Sequence, residues 1–97
     1  MSRAVPPIHP GEHLAEFLAE YGVSAYRLAK DTDMPKTRVS NILKGRRAIT
    51  ADTALRLGRF FGVTPQFWLN LQTRYDLETA QETIGASLEH VKPLQAA

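Results

Sequence analysis

The chain of 97 residues contains no cysteine, which excludes a disulfide framework and a thiolate metal site. It also lacks any apolar run near the roughly 18 to 20 residues that a membrane span requires. No basic start followed by an apolar segment suggests a secretion signal, so a cytoplasmic protein is expected. No stretch alternates polar and apolar residues in the manner of a strand, which leaves helices as the building blocks. There is no G-x-S-x-G, no glycine-rich phosphate loop and no low-complexity segment, and an enzyme reading finds no machinery to support it. His9, Glu12 and His13 share one helical turn, but a zinc site wants three or four convergent ligands and no further partner is evident; His9 is read instead as a helix-start residue and His13 as a solvated side chain. No cofactor is expected. What remains is a chain that is 43% hydrophobic and 23% charged, sized for one domain that folds in water.

Acids are scarce in one region. Residues 24 to 59 carry nine Lys/Arg against three Asp, a local +6, while the remainder holds three bases and seven acids, hence −4, giving the overall +2. A basic centre between acidic ends suggests a polyanionic partner for that centre, with plain solvation as the alternative.

The spacing of apolar residues predicts an all-α, five-helix domain. Residues 1 to 8 form an arm with two prolines and no periodicity. Helix 1 runs from Pro10 to about Tyr21, with Leu14, Phe17, Leu18 and Tyr21 at i, i+3, i+4 and i+7 and Gly22 as its stop. Ser24 caps a short helix 2 that reaches about Asp31, where small Ala29 permits a close crossing by the next helix. After a tight turn, Pro35 opens helix 3, which ends at Lys44 before Gly45. Thr50 caps helix 4, which ends at Gly62, and Thr64 with Pro65 opens helix 5, reaching about Gln81. The weakly patterned tail from 82 to 97 is left open between an extra short helix and a mobile end.

Helix 3 carries the functional argument. Val39, Ile42 and Leu43 form its inward stripe, and at about 100° per residue this leaves Lys36, Thr37, Ser40, Asn41 and Lys44 on the outer side. All five are hydrogen-bonding residues, and no acid occurs between Met34 and Ala51. Exposed helices usually mix Glu with Lys, so this face suits an anionic ligand. The second helix of a helix-turn-helix enters the DNA major groove, which makes Lys36, Thr37 and Asn41 the base-edge candidates, with Arg38 and Ser40 within reach of bases or phosphates. Ser24, Lys44, Arg46 and Arg47 are placed for phosphates. Helix 5 has more apolar surface than one stripe absorbs, so Trp68, Leu69, Tyr75 and Leu77 are expected at a dimer interface, with ordinary core and exposed residues as the alternative. A two-fold dimer would set two copies of helix 3 about 34 Å apart for successive grooves of a palindromic operator. Stacking of single-stranded bases on Trp68 and Tyr75 is disfavoured because they lie in the acidic part of the chain. Arg56 and Arg59 are left open between pairing with acids and flanking DNA.

The segments "HPGE" at 9 to 12, "YRLAK" at 26 to 30, "RVSNILKGRRAIT" at 38 to 50 and "TALRLGRFFGVTPQFWLNLQTRYDLETA" at 53 to 80 together resemble the HigA antitoxins of the XRE (Cro/C1-like, lambda-repressor-like) helix-turn-helix group. The resemblance implies a homodimeric repressor that binds a palindromic operator in its own promoter and neutralises a HigB-type mRNA-cleaving toxin. It places the group's recognition-helix positions on Lys36, Thr37, Arg38, Ser40 and Asn41, and phosphate-facing positions on Ser24, Lys44, Arg46 and Arg47. A stand-alone regulator of the same group, with no toxin partner, would look much the same. Asp33 stands where the turn usually has Gly; Asp is among the few residues that tolerate a positive φ there.

Overall fold

A computed structural model describes residues 5–95. The first four residues of the expected arm and the last two of the tail lie outside the described residues. Five helices follow one another: α1 (Pro10–Tyr21), α2 (Ala25–Thr32), α3 (Lys36–Leu43), α4 (Ala51–Phe61) and α5 (Pro65–Leu88). No strand occurs among the described residues, and none of their helices is long and apolar enough to cross a membrane.

Local chemistry sets most helix ends. His9 caps α1 by accepting from the Gly11 N–H through Nδ1 at 2.8 Å, Ser24 Oγ accepts from the Arg27 N–H at 3.0 Å, and Thr50 and Thr64 accept from Thr53 and Phe67. Each hydroxyl or imidazole satisfies a donor that the helix ladder leaves open. Gly22 and Gly62 close α1 and α4 in the left-handed region. Asp33 does the same after α2, at φ 57°, so the turn keeps its shape without glycine. Three residues, Asp33 to Pro35, separate α2 from α3, the spacing of a helix-turn-helix.

The core gathers Leu14 and Leu18 of α1, Leu28 and Ala29 of α2, Met34, Val39 and Ile42 from the turn and α3, and Ile49, Ala54, Leu57 and Trp68 from beyond. Trp68 is fully buried, with its ring centroid 5.0 Å from Phe17, 5.3 Å from Phe67 and 5.9 Å from Phe61. Its expected place at a dimer interface is therefore corrected: the largest side chain of α5 fills the space between α1 and α4, where burial gains most. Its indole N–H makes no hydrogen bond to any described residue.

Helix α5 does not stop near Gln81. It continues to Leu88, so the expected domain boundary falls inside a helix of 24 residues, about 36 Å long at 1.5 Å per residue. Its first half packs on the core through Trp68 and Gln72, and from Thr79 onward every described residue but the half-buried Gly85 is exposed.

Candidate nucleic-acid interface

Two turns of α3 present the face that the sequence points to. Lys36, Thr37 and Lys44 are exposed, Ser40 and Asn41 are half-buried, and Val39 and Ile42 behind them are buried. Lys44, Arg46 and Arg47 continue the cationic surface past the end of α3, all exposed, with Gly45 at φ 74° turning the chain. Ser24 is exposed at the start of α2; its hydroxyl is used as the cap, leaving the first-turn N–H groups to face an anion. The fold thus brings together Lys36, Thr37, Ser40, Asn41 and Lys44 on one helix face, with Arg46 and Arg47 on the adjoining loop.

Arg38 departs from the expectation of a free DNA-facing cation. Its Nη1 donates to Asp52 Oδ1 at 2.7 Å, its side chain is only 21% exposed, and its buried Nε makes no hydrogen bond to any described residue. The reason is angular: Arg38 lies between Val39 and Asn41 around the helix, on the flank turned toward α4. Arg56, left open earlier, pairs with the same carboxylate through Nε at 2.8 Å, and its Nη1 donates to the carbonyls of Thr32 and Asp33 at 2.9 and 3.1 Å. These hydrogen bonds hold the Asp52 carboxyl below its ordinary range, and Asp52 holds the Arg56 guanidinium above its own.

Several positioning residues escaped the sequence reading. Gly11 in the first turn of α1 lies so close to α3 that a Cβ on it would sit 1.9 Å from the Ile42 carbonyl oxygen; glycine inside a helical pattern is the available hint. Gln72, buried on α5, accepts from the Ile49 N–H at 2.7 Å and donates to Asp76 at 2.8 Å, anchoring the loop that carries Arg46 and Arg47. Nothing in the pattern marks it. The Lys36 ammonium lies 4.4 Å from the centre of the exposed Tyr26 ring, a cation–π contact that joins α2 to α3; an aromatic in the basic stretch was the missed cue. The His9 ring packs edge-on to Tyr75 at 5.0 Å. Burial is the largest influence on its pKa and lowers it, against smaller upward effects from Arg47, Asp76 and Glu12.

On the outer side of α5, Leu77 is 65% exposed and Ile84 and Leu88 nearly half exposed, and their spacing of seven and four residues aligns them on one face. Leu69 and Tyr75 are half-buried. Among the described residues, no group of three or more His, Cys, Asp or Glu is placed to hold a metal.

Comparison with known proteins supports the helix-turn-helix fold. The helix-turn-helix family model matches residues 14–68. An addiction-module antidote protein of the HigA family from Coxiella burnetii has 53% identity and a TM-score of 0.90, over 93% of this chain and 100% of that one. The antitoxin HigA of Pseudomonas aeruginosa, solved with the higBA promoter, has 45% identity and a TM-score of 0.87, over 92% and 99%. The antitoxin HigA-1 of Vibrio cholerae serotype O1 is 36% identical over 89 residues, 91% of this chain and 84% of its own length. The chain therefore belongs to the helix-turn-helix family of DNA-binding proteins, within its branch of HigA antitoxins.

Proposed function

We propose that this chain acts in the cytoplasm as a dimeric repressor of its own operon, binding a palindromic operator through α3, and that it neutralises a HigB-type mRNA-cleaving toxin. It works by occupying surfaces rather than by catalysis. The observation that carries the DNA reading is the acid-free outer face of α3, with Lys36 and Thr37 exposed and Ser40 and Asn41 half-buried, continued by the exposed cations of the next loop. Asn41 suits a paired donor and acceptor contact to adenine, Lys36 a donor to guanine, Thr37 a methyl contact to thymine, and Ser40 either a base or a phosphate. Lys44, Arg46, Arg47 and the α2 N-terminus at Ser24 take phosphates. Arg38 supports α3 from its flank. The toxin reading is supported by the likeness to HigA antitoxins.

Leu77 supports an α5 dimer contact, extended by Ile84 and Leu88 and flanked by Leu69 and Tyr75. Three loop cations per protomer give six in a dimer, for which the slope of log affinity against log salt is about −5. Binding of the chain to its own upstream DNA, titrated at several salt concentrations, tests this. Asn41→Ala is expected to weaken operator binding by about 1 to 3 kcal/mol per base contact and to leave shuffled DNA nearly unaffected. A wild-type chain that ignores the upstream DNA at low salt refutes the reading.

A further inference from the structure

Helix α3 is only eight residues long and has no side-chain cap. Its apolar hold on the core is Val39 and Ile42 with half-buried Leu43, with Gly11 of α1 close against Ile42, and apolar contacts are non-directional, so they fix the depth of a helix better than its rotation. Rotation matters for a reader helix. Side-chain tips lie about 5 to 6 Å from the axis, so a turn of about 20° moves them about 2 Å, enough to break a base contact that needs about 2.7 to 3.2 Å.

Beside the Lys36–Tyr26 cation–π contact, the side-chain hydrogen bond that ties α3 to another element is the Arg38–Asp52 pair on its flank. Asp52 Oδ1 is shared: it accepts from Arg38 at 2.7 Å and from Arg56 at 2.8 Å. Arg56 in turn reaches the Thr32 and Asp33 carbonyls, the end of α2 and the first residue of the turn. One carboxylate on α4 thereby links the reader helix to the turn that precedes it. The buried Nε of Arg38 makes no second hydrogen bond among the described residues, so the guanidinium depends on Asp52 for its setting.

We propose that Asp52 is a specificity-positioning residue: it does not touch DNA, and through Arg38 and Arg56 it fixes the rotation of α3 at which Thr37 and Asn41 face the bases. The inference rests on the operator-binding reading. Two rival roles make different predictions. If Asp52 only repels phosphate, its neutralisation raises affinity for every duplex alike; if it is only a strut of the fold, operator binding falls in step with thermal stability.

The test uses the full chain with Asp52→Asn, Asp52→Glu, Arg56→Lys, Arg38→Met and the Arg38→Met/Asp52→Asn double variant. Fluorescence anisotropy gives the affinity for the upstream operator duplex and for a shuffled duplex of the same length, and circular dichroism gives the melting curve. The expected result for Asp52→Asn is about a tenfold loss for the operator, no loss for the shuffled duplex, and a melting temperature near that of wild type. Asp52→Glu recovers part of the discrimination. Arg56→Lys, which keeps the charge but cannot span both turn carbonyls and the carboxylate, lowers it in the same sense. In the Arg38→Met background, Asp52→Asn changes the ratio by less than about twofold, as expected for residues acting through one another. Equal changes on both duplexes, an unchanged ratio, or a loss that tracks the melting temperature overturns the assignment. A wild-type chain that does not discriminate overturns the operator reading, and this inference with it.

Discussion

Gly11→Ala is the sharpest test of how α3 is held. The substituted Cβ would lie 1.9 Å from the Ile42 carbonyl oxygen and 2.9 Å from its carbon, whereas a Cβ essentially never comes within 3.0 Å of such an atom. The two backbones must part by at least about 1.1 Å, and neither partner is a flexible side-chain tip. Gly11 lies within α1, where alanine is the better helix former by up to about 1 kcal/mol, so backbone conformation does not oppose the change. Overpacking costs about 1 to 3 kcal/mol, and a clash between two backbones belongs at the upper end. The net loss is about 2 kcal/mol, which in a domain of this size lowers the melting temperature by roughly 10 °C. A calorimetric or dichroism melt reads it directly. Because the displaced atom belongs to α3, operator affinity is also expected to fall below that of a surface alanine control. A Gly11→Ala chain as stable as wild type, with unchanged operator binding, refutes the close approach.

Two further outcomes follow from the correction at Trp68 and from the environment of His9. Trp68→Ala removes a fully buried indole and is expected to cost about 3 to 5 kcal/mol, while Leu77→Glu leaves the melt nearly unchanged at protein concentrations below dimerisation but shifts the mass in light scattering to that of a monomer. If Trp68→Ala is the benign change and Leu77→Glu unfolds the chain, the burial pattern of α5 is wrong. The His9 pKa is lowered from 6.5, so as pH falls through about 6.5 the unfolded chain takes up a proton before the folded one. Stability is then full above that pH, declines below it, and levels off once folded His9 itself protonates. His9→Asn keeps a capping side chain and is expected to remove this decline in urea titrations between pH 7 and 5; persistence of the same slope would assign it to other groups.

The sequence made legible those parts whose cause is local. Pro10, Ser24, Thr50 with Gly62, and Thr64 with Pro65 announce helix ends through their own backbone and hydroxyl chemistry, and the structure places the ends there within a residue. Asp33 was read correctly as a positive-φ residue for the same reason. The end of α5 was missed because its second half packs on almost nothing: a helix exposed on all sides has no buried stripe, hence no period to detect. Trp68 was misplaced because periodicity ranks the faces of a helix without saying which neighbours await each one, and the gap between Phe17 and Phe61 is made by α1 and α4. Arg38 was assigned to the DNA-facing set and Arg56 was left open for a similar reason, since their partner Asp52 lies 14 residues from one and four from the other, and only the crossing of α3 and α4 joins all three. The outer face of α3 was legible as an acid-free run beside a buried stripe, and the structure leaves Lys36 and Thr37 exposed there with Val39 and Ile42 buried behind.

That division explains how a two-turn helix can be both fixed and retunable. Three elements hold the reader segment from behind: α1 through the Gly11 approach to Ile42, α4 through Asp52 and Arg38, and α5 through Gln72, which accepts from the Ile49 N–H. None of these contacts uses Thr37, Ser40 or Asn41, and Lys36 adds only its cation–π contact with Tyr26 of α2. Substitutions on the outer face therefore fall in the class of surface changes, usually within about 0.5 kcal/mol of neutral for stability, while each base contact they alter is worth about 1 to 3 kcal/mol of discrimination. On the proposed operator reading, sequence preference can change without repacking the core, whereas changes at Gly11 and Asp52 act on α3 from behind and those at Gln72 on the loop after it.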